Sequence, residues 1–407
     1  MSELPARYAG DDDLANRVPV IVVWEITLAC DLACKHCGSR AGRRRRDELT
    51  TAEGLKLIDE IAELGCRDVG LIGGEAYLRK DWLQLIAAVR ANGMDCTLQT
   101  GGRNLSEDRV AAAAAAGLQG VGVSIDGLRE VHDELRGVPG SFELAMAALR
   151  RVTAHGLSSA VNTQINAKSM PQLRDIMDLI IDAGATNWQL AITVAMGNAA
   201  DRPELLLQPW QMLELMPLLA ELAEDGRRRS LFLQPANNIG YFGPYESSIR
   251  NILDDEIHYR GCAAGDALFG IEADGTIKGC PGLPSAYAGG NVRDKPLREI
   301  WENAEPLAFA RRRTVDDLWG FCRTCYYAET CMGGCTWTSH ALMGRAGNNP
   351  MCHHRALELD AQGLRERLVQ VKRAKGDSFD HGEFEIIVEP VPVTAPGRVP
   401  DRICVNG

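Results

Sequence analysis

The sequence predicts an α/β chain: a partial, TIM-like (β/α)6 barrel followed by a cysteine-rich domain that binds metal clusters. Three observations carry that prediction. Between residues 18 and 200, short β-branched runs alternate with amphipathic helical stretches, the pattern of a parallel sheet with crossover helices. Cys30, Cys34 and Cys37 form a C-x3-C-x2-C triplet directly after the first strand run, the mouth at which α/β barrels place their chemistry. Seven further cysteines crowd residues 262–352, a stretch with little periodicity of its own and therefore one held more by metal than by an apolar core.

Residues 1–17 form a polar, acidic arm. The barrel spans 18–200, with strands expected at 18–26, 68–72, 95–99, 120–125, 159–165 and 188–193. Helices are expected at 51–64, 81–91, 106–116, 142–154, 172–183 and, beyond the barrel, 210–223. Thr50 and Thr51 offer caps to the first helix, Ser106 to the third and Ser141 to the fourth. Gly65, Gly93, Gly117, Gly156 and Gly184 each follow a helix, where a left-handed residue ends it. Residues 201–258 link the barrel to the next domain through an aromatic turn, Tyr241, Phe242 and Tyr245 around Gly243-Pro244. The auxiliary domain spans 259–355, and 356–407 reads as a closing helix at 356–371 with an extended, proline- and valine-rich tail.

The chain of 407 residues, 45% hydrophobic and 24% charged, is long enough for a barrel plus an appendage and can bury a large core. Thirteen cysteines would suit a secreted disulfide protein, but their metal-ligand spacing and the polar start, MSELPARYAGDDD, point to an intracellular, cytoplasmic enzyme. No run of 18 apolar residues suggests a membrane span. A net charge of −11 opposes broad nucleic-acid binding. Arg43 to Arg46 is a local exception, either a solvated loop or a landing site for an acidic electron donor or peptide.

Three thiolates on one short loop cannot close a four-iron cube, so one iron stays open to a substrate or cofactor; a closed zinc site would want four ligands. Gly73-Gly74-Glu75 follows the second strand, and a glycine pair there admits close backbone approach to a ligand. Asn162 and Gln164 share one face of the fifth strand by its period of two, toward the lumen, where polar groups need partners.

These residues, in the segment WEITLACDLACKHC at 24–37, resemble the radical SAM enzymes, whose signature is C-x3-C-x2-C after the first strand. The resemblance implies that the open iron is chelated by S-adenosylmethionine (SAM) and that one electron cleaves the sulfonium. The product is a 5′-deoxyadenosyl radical that abstracts hydrogen from an unactivated carbon. Gly73, Gly74 and Glu75 then correspond to the GGE motif at the methionine amine, with Ala76 in place of the usual proline. Thr100-Gly101-Gly102 stands where many relatives carry T-N-G, and Ser124, near Asp126, approaches the methionine carboxylate. Arg136, after His132 and Asp133 and before Gly140-Ser141-Phe142, is either a carboxylate partner or part of a surface loop. Asn162 and Gln164 would reach the ribose or carboxylate.

Cys262, Gly275 and Cys280 read C-x12-G-x4-C; Cys322, Cys325, Cys331 and Cys335 read C-x2-C-x5-C-x3-C; Cys352 follows. All seven cysteines match the SPASM extension, which holds auxiliary iron–sulfur clusters. By that resemblance Cys322, Cys325, Cys331 and Cys352 hold one 4Fe-4S cluster. Cys262, Cys280 and Cys335 hold another, whose fourth position is open or filled by Asp266 or Cys404. With the SAM-binding cluster this makes three. Cys66 and Cys96 read as buried and inert.

The stretches GGNVRDKPLREIW and GFCRTCYYAETCMGGCTWT are similar to maturases of ribosomally made peptides, close to the group associated with short GDL-motif peptides. That resemblance implies a precursor peptide as substrate and a flavodoxin or ferredoxin as reductant. About 18 residues precede the barrel, too few for a fused peptide-recognition domain, so either a separate leader-binding protein or the barrel itself binds the leader. The alternatives are a small-molecule radical SAM enzyme, acting on a tetrapyrrole side chain or a sugar, and an iron–sulfur electron carrier. No catalytic base is identifiable; Tyr77, Tyr241, Tyr245, Trp188 and Gln189 are candidates for lining the pocket.

Overall fold

An unbroken apolar run can only form a strand covered on both faces, and that condition places β1 (Ile21–Glu25) in the interior of a sheet. The structure, a computed structural model, describes residues 7, 9–250 and 258–392. After β1 come β2 (Asp68–Ile72), β3 (Asp95–Thr100), β4 (Gly120–Ser124), β5 (Ser158–Ile165) and β6 (Asn187–Ile192), the six expected strands. They pair in parallel in that order. Helices Thr51–Glu63, Trp82–Ala91, Glu107–Ala115, Ser141–Ala154 and Leu173–Asp182 connect them. Thr50 caps the first through a reciprocal pair: its hydroxyl accepts from the Glu53 amide, and its own amide donates to Glu53 Oε2 at 2.7 Å. Ser106 caps the third helix. Ser141 does not cap the fourth; Gly140 holds that position, and the Ser141 hydroxyl donates to Asp133 at 2.9 Å.

The sheet is larger than the six-strand reading. A seventh parallel strand, β7 (Phe232–Pro235), follows the helix Met212–Arg228 and pairs with β6. On the other edge β8 (Leu268–Ile271), from the cysteine-rich region, pairs in parallel with β1. Then β9 (Thr276–Lys278) and β10 (Ala288–Asn291) add antiparallel, giving one ten-stranded sheet. The change of composition near residue 259 is therefore not a boundary of the sheet.

The expected helix at 356–371 is replaced by a short helix, His353–Asp360, and a strand, β11 (Leu364–Lys372). Gly363, at φ +71°, completes the turn that leads from the helix into the strand. The segment LRERLVQVK then alternates with period two, burying Glu366 and Leu368, and pairs antiparallel with β12 (Glu383–Pro390). Of the expected extended tail, residues 383–390 are a strand of this hairpin, and 393–407 lie outside the described residues. Arg355 and Glu366, each with a side chain 5% exposed, meet at 2.6 Å and tie the hairpin to the helix. Cys404 lies outside the described residues. Among those described, no helix is long and apolar enough to cross a membrane.

Candidate cofactor and cluster sites

All the parallel strands present their C-terminal ends on one side, and the loop carrying Cys30, Cys34 and Cys37 covers that side. The barrel fastens the loop by its backbone. The amides of Ala33 and Lys35 donate to the carbonyls of Arg136 and Leu135, and Asn198 Nδ2 donates to the Cys34 carbonyl at 2.8 Å. The glycine pair serves the same fastening. Gly74 N donates to Thr27 O at 2.8 Å and Glu75 N to Ala29 O at 2.7 Å. A methyl group on Gly74 would sit 2.3 Å from Ala29 O, so the cluster loop passes through the space that the missing side chain leaves.

Below this loop lies a cavity of about 370 Å³. Cys30, Cys34, Cys37, Gly73, Gly74, Glu75, Ser124, Arg136, Asn162 and Gln164 all line it, so three cysteines and seven of the eight cofactor-contact candidates converge. Asp126 does not line it. Its buried carboxylate stands behind, 2.6 Å from Arg136 Nη2 and 3.1 Å from His36 Nε2. Burial opposes that charge, but Arg136 and His36 outweigh it and hold the carboxyl well below the usual carboxylate range. Arg136 in turn lies 3.6 Å from the Cys34 sulfur, and His36 belongs to the loop itself, which makes Asp126 a support for the loop through these two residues. Glu75 is fully engaged within the protein: Thr100 donates its hydroxyl and Gly101 its amide, the latter at 2.6 Å. Burial pushes Glu75 up to about 7 against these two hydrogen bonds.

The sulfur spacing tests which group fits. Among the described residues, the one set of three metal-binding atoms within 4.8 Å of one another is Cys30, Asp31 and Glu75; no three cysteine sulfurs come that close. A zinc ion at about 2.3 Å from each thiolate would draw the sulfurs to about 3.8 Å. A four-iron cube spreads its thiolates more widely, and backbone amides already point at two of these sulfurs, Leu32 N at Cys30 and Ala41 N at Cys37, each at 3.4 Å.

The downstream cysteines lie in two neighbouring groups. Cys322, Cys325, Cys331 and Cys352 ring one small apolar cavity with Phe321, Tyr327 and Tyr241. Cys262, Cys280 and Cys335 form the other group, and their mutual charges add to the burial that raises Cys335 to about 12. Asp266 does not join them; it is half-buried, facing Arg311 and Arg17. Cys280 also lines the main cavity, so the three-cysteine group borders the same space as Cys30. Cys66 and Cys96 are buried, as expected.

The aromatic candidates pack instead of lining the cavity. Tyr77 accepts from the Asn104 amide, Trp188 donates to Thr163 at 2.9 Å, Tyr241 accepts from the Cys335 amide, and Tyr245 stacks on His353. Gln189 lines a second cavity at the opposite end of the strands. Among the cavity residues that sequence reasoning missed are Glu25, His36, Gln99, Glu272, Trp337 and Phe379. Glu25 left one signal, an acid closing an otherwise apolar strand. Burial, with repulsion from Glu272, pushes it up to about 8.

Residues 24–202 match the model of the radical SAM superfamily, and residues 262–326 match SPASM, an iron–sulfur cluster-binding domain. The chain is 30% identical over 343 residues to the AdoMet-dependent heme synthase of Oleidesulfovibrio alaskensis, covering 82% of this chain and 86% of that one. It is 28% identical over 397 residues to the mycofactocin maturase MftC of Mycobacterium tuberculosis, covering 95% and 94%. Streptococcus suis SuiB bound to its precursor peptide SuiA shares the fold, with a TM-score of 0.62 at 18% identity over 80% of this chain and 74% of that one.

Proposed function

The chain belongs to the radical SAM superfamily and carries its SPASM extension, and from that premise we propose that its substrate is a ribosomally synthesised precursor peptide, changed by an oxidative or cross-linking modification. When bound, the cluster at Cys30, Cys34 and Cys37 supplies the electron that splits SAM into methionine and a 5′-deoxyadenosyl radical, which takes hydrogen from the substrate. The backbone at Gly73 and Gly74, with Ser124, Asn162, Gln164 and Arg136, holds and orients SAM at one end of the cavity. Glu25, Cys280 and Trp337 border the substrate end. Two auxiliary 4Fe-4S clusters complete the set, one on Cys322, Cys325, Cys331 and Cys352, the other on Cys262, Cys280 and Cys335 with an open position. Exposed Arg43 and Arg46 suit an acidic flavodoxin or ferredoxin in the cytoplasm. Either a separate leader-binding protein or the barrel itself presents the peptide.

The observation that carries the peptide reading is the likeness to a peptide maturase, at 28% identity, along nearly the whole chain, 95% of this one and 94% of that one. A second reading, an iron porphyrin whose side chain reaches in from outside, is favoured by the 30% identity to a heme synthase. Anaerobic reconstitution to about twelve irons per chain, followed by turnover with peptides encoded beside the gene and separately with an iron porphyrin, decides between them by mass spectrometry. A peptide that loses hydrogen as 5′-deoxyadenosine accumulates is the expected result. A porphyrin consumed while every such peptide stays unchanged overturns it.

A further inference from the structure

The loop between β11 and β12 reaches back over the cavity mouth and inserts an aromatic ring into it. Phe379 N donates to Gly38 O at 3.0 Å, and the Ser378 hydroxyl donates to Ser39 O at 2.8 Å; both acceptors directly follow Cys37. On the far side Gly197 N donates to Asp380 O at 2.8 Å, and His381 forms an antiparallel bridge with Met196. Main-chain bonds on both flanks with one side chain inserted are the contacts by which an extended peptide docks on a protein. Arg40 latches the loop, 2.9 Å from Asp380 and 2.6 Å from Asp201.

The ring is specifically received. Phe379 is 9% exposed and packs with Val194, Met196, Ala341 and Trp337. The ammonium of Lys278, wholly buried and held by Glu272 at 2.8 Å, lies 3.9 Å from the centre of its ring. A desolvated cation over a ring face discriminates aromatic from aliphatic side chains of similar size. The backbone is strained at the same residue: Phe379 stands at φ +55°, which a bulky side chain adopts only where its contacts compensate. The segment is thus fastened but poised to leave.

We propose that residues 377–381 stand in for the substrate, so that the enzyme acts on a peptide presenting an aromatic side chain, which displaces Phe379 and takes its place against Lys278. This rests on the peptide reading given above and narrows it to one class of residue.

The test measures binding of fluorescein-labelled nonapeptides spanning residues 375–383, KGDSFDHGE, and their Phe→Tyr and Phe→Leu forms. The cluster-reconstituted protein carries a glycine–serine turn in place of 375–381, and fluorescence anisotropy reports binding. The Phe and Tyr peptides should bind at least tenfold tighter than the Leu peptide. Lys278→Met should erase that difference, and the unaltered chain should bind the Phe peptide at least tenfold more weakly because its own loop competes. Equal binding of Phe and Leu, or none, overturns the proposal. If the shortened chain loses iron or fails to melt cooperatively, Asp380→Ala in the full-length chain replaces it. Breaking the latch should then speed hydrogen exchange at 377–381, and added Phe peptide should speed it further than Leu peptide; equal effects overturn the proposal. Turnover of a porphyrin with no peptide modified overturns the peptide reading. Modification of a peptide without any preference for an aromatic residue overturns this inference alone.

Discussion

Replacing Gly74 with alanine tests how the glycine pair seats the loop that carries Cys30, Cys34 and Cys37. Gly74 does not have positive φ, so alanine meets no torsional obstacle there and its whole effect is contact. The added Cβ would lie 2.3 Å from Ala29 O and 2.7 Å from both Ala29 C and Cys30 Cβ, against 3.4–4 Å for ordinary contact. Two of those three atoms are backbone and the third is Cβ, so no rotamer change relieves them. The cluster loop must retreat by about 1 Å, a misplacement that costs about 100-fold in rate when it occurs at a reacting centre. Overpacking of this kind costs about 1–3 kcal/mol. The bonds from Gly74 N to Thr27 O and from Glu75 N to Ala29 O would loosen, at about 1 kcal/mol each. The expected variant is folded, melts a few degrees lower, and forms 5′-deoxyadenosine about 100-fold more slowly. Chromatographic quantitation of 5′-deoxyadenosine, with iron content and a thermal melt on the same sample, measures all three. A Gly74→Ala protein with full iron and wild-type output would refute the argument that this glycine sets the position of Cys30.

Three further outcomes are expected. Glu25 is raised to about 8, so the native chain keeps a proton that the unfolded chain releases near its ordinary 4.5; its contribution to stability is complete below the unfolded value and lost as pH rises through about 8, up to about 5 kcal/mol in all. Urea titrations at about pH 5 and about pH 9 should show this loss in the wild type and not in Glu25→Gln, and equal pH dependence in both would contradict it. Arg355→Ala leaves Glu366 charged, buried and unpaired, and should cost about 3–5 kcal/mol in a denaturation midpoint; a loss within experimental error would show the pair to be idle. Cys280→Ser should lower iron content by about four per chain while 5′-deoxyadenosine formation persists; unchanged iron would remove Cys280 from the ligand set.

Much of this architecture was legible because it is local. The strands at 68–72, 95–100 and 120–124 follow from short β-branched runs, and the caps at Thr50 and Ser106 from side chains that reach three residues ahead. The SAM-site cysteines were legible because their spacing is itself the chemistry. What escaped depends on distant pairing. Leu268–Ile271 is too short to announce itself, and only the exposed edge of β1 makes it a strand of the barrel sheet. The segment 364–372 contains good helix formers, and its strand exists because 383–390 lies beside it. Phe379 gave no signal at all, since nothing in GDSFDHG distinguishes a surface turn from a ring placed in a cavity 340 residues from Cys37 along the chain.

The pairing of β8 with β1 also explains how two chemically different regions make one site. Trp24 is in register with Ile271, so Glu25 and Glu272 follow side by side at the strand ends. The β8–β9 hairpin then places the buried Lys278 at the end of β9, beside Glu272, and Cys280, two residues on, at the cavity wall. Backbone hydrogen bonds of a continuous sheet fix the relative placement of barrel and auxiliary residues far more tightly than a flexible linker between two domains could. The cavity therefore owes one wall to each region: the barrel supplies Gly73, Gly74, Ser124, Asn162 and Gln164, and the cysteine-rich region supplies Glu272, Cys280 and Trp337. The loops at the ends of β8 and β9 lie outside that register, so the second wall can change in shape and charge while the strand pairing still keeps Cys30 and Cys280 on the same space.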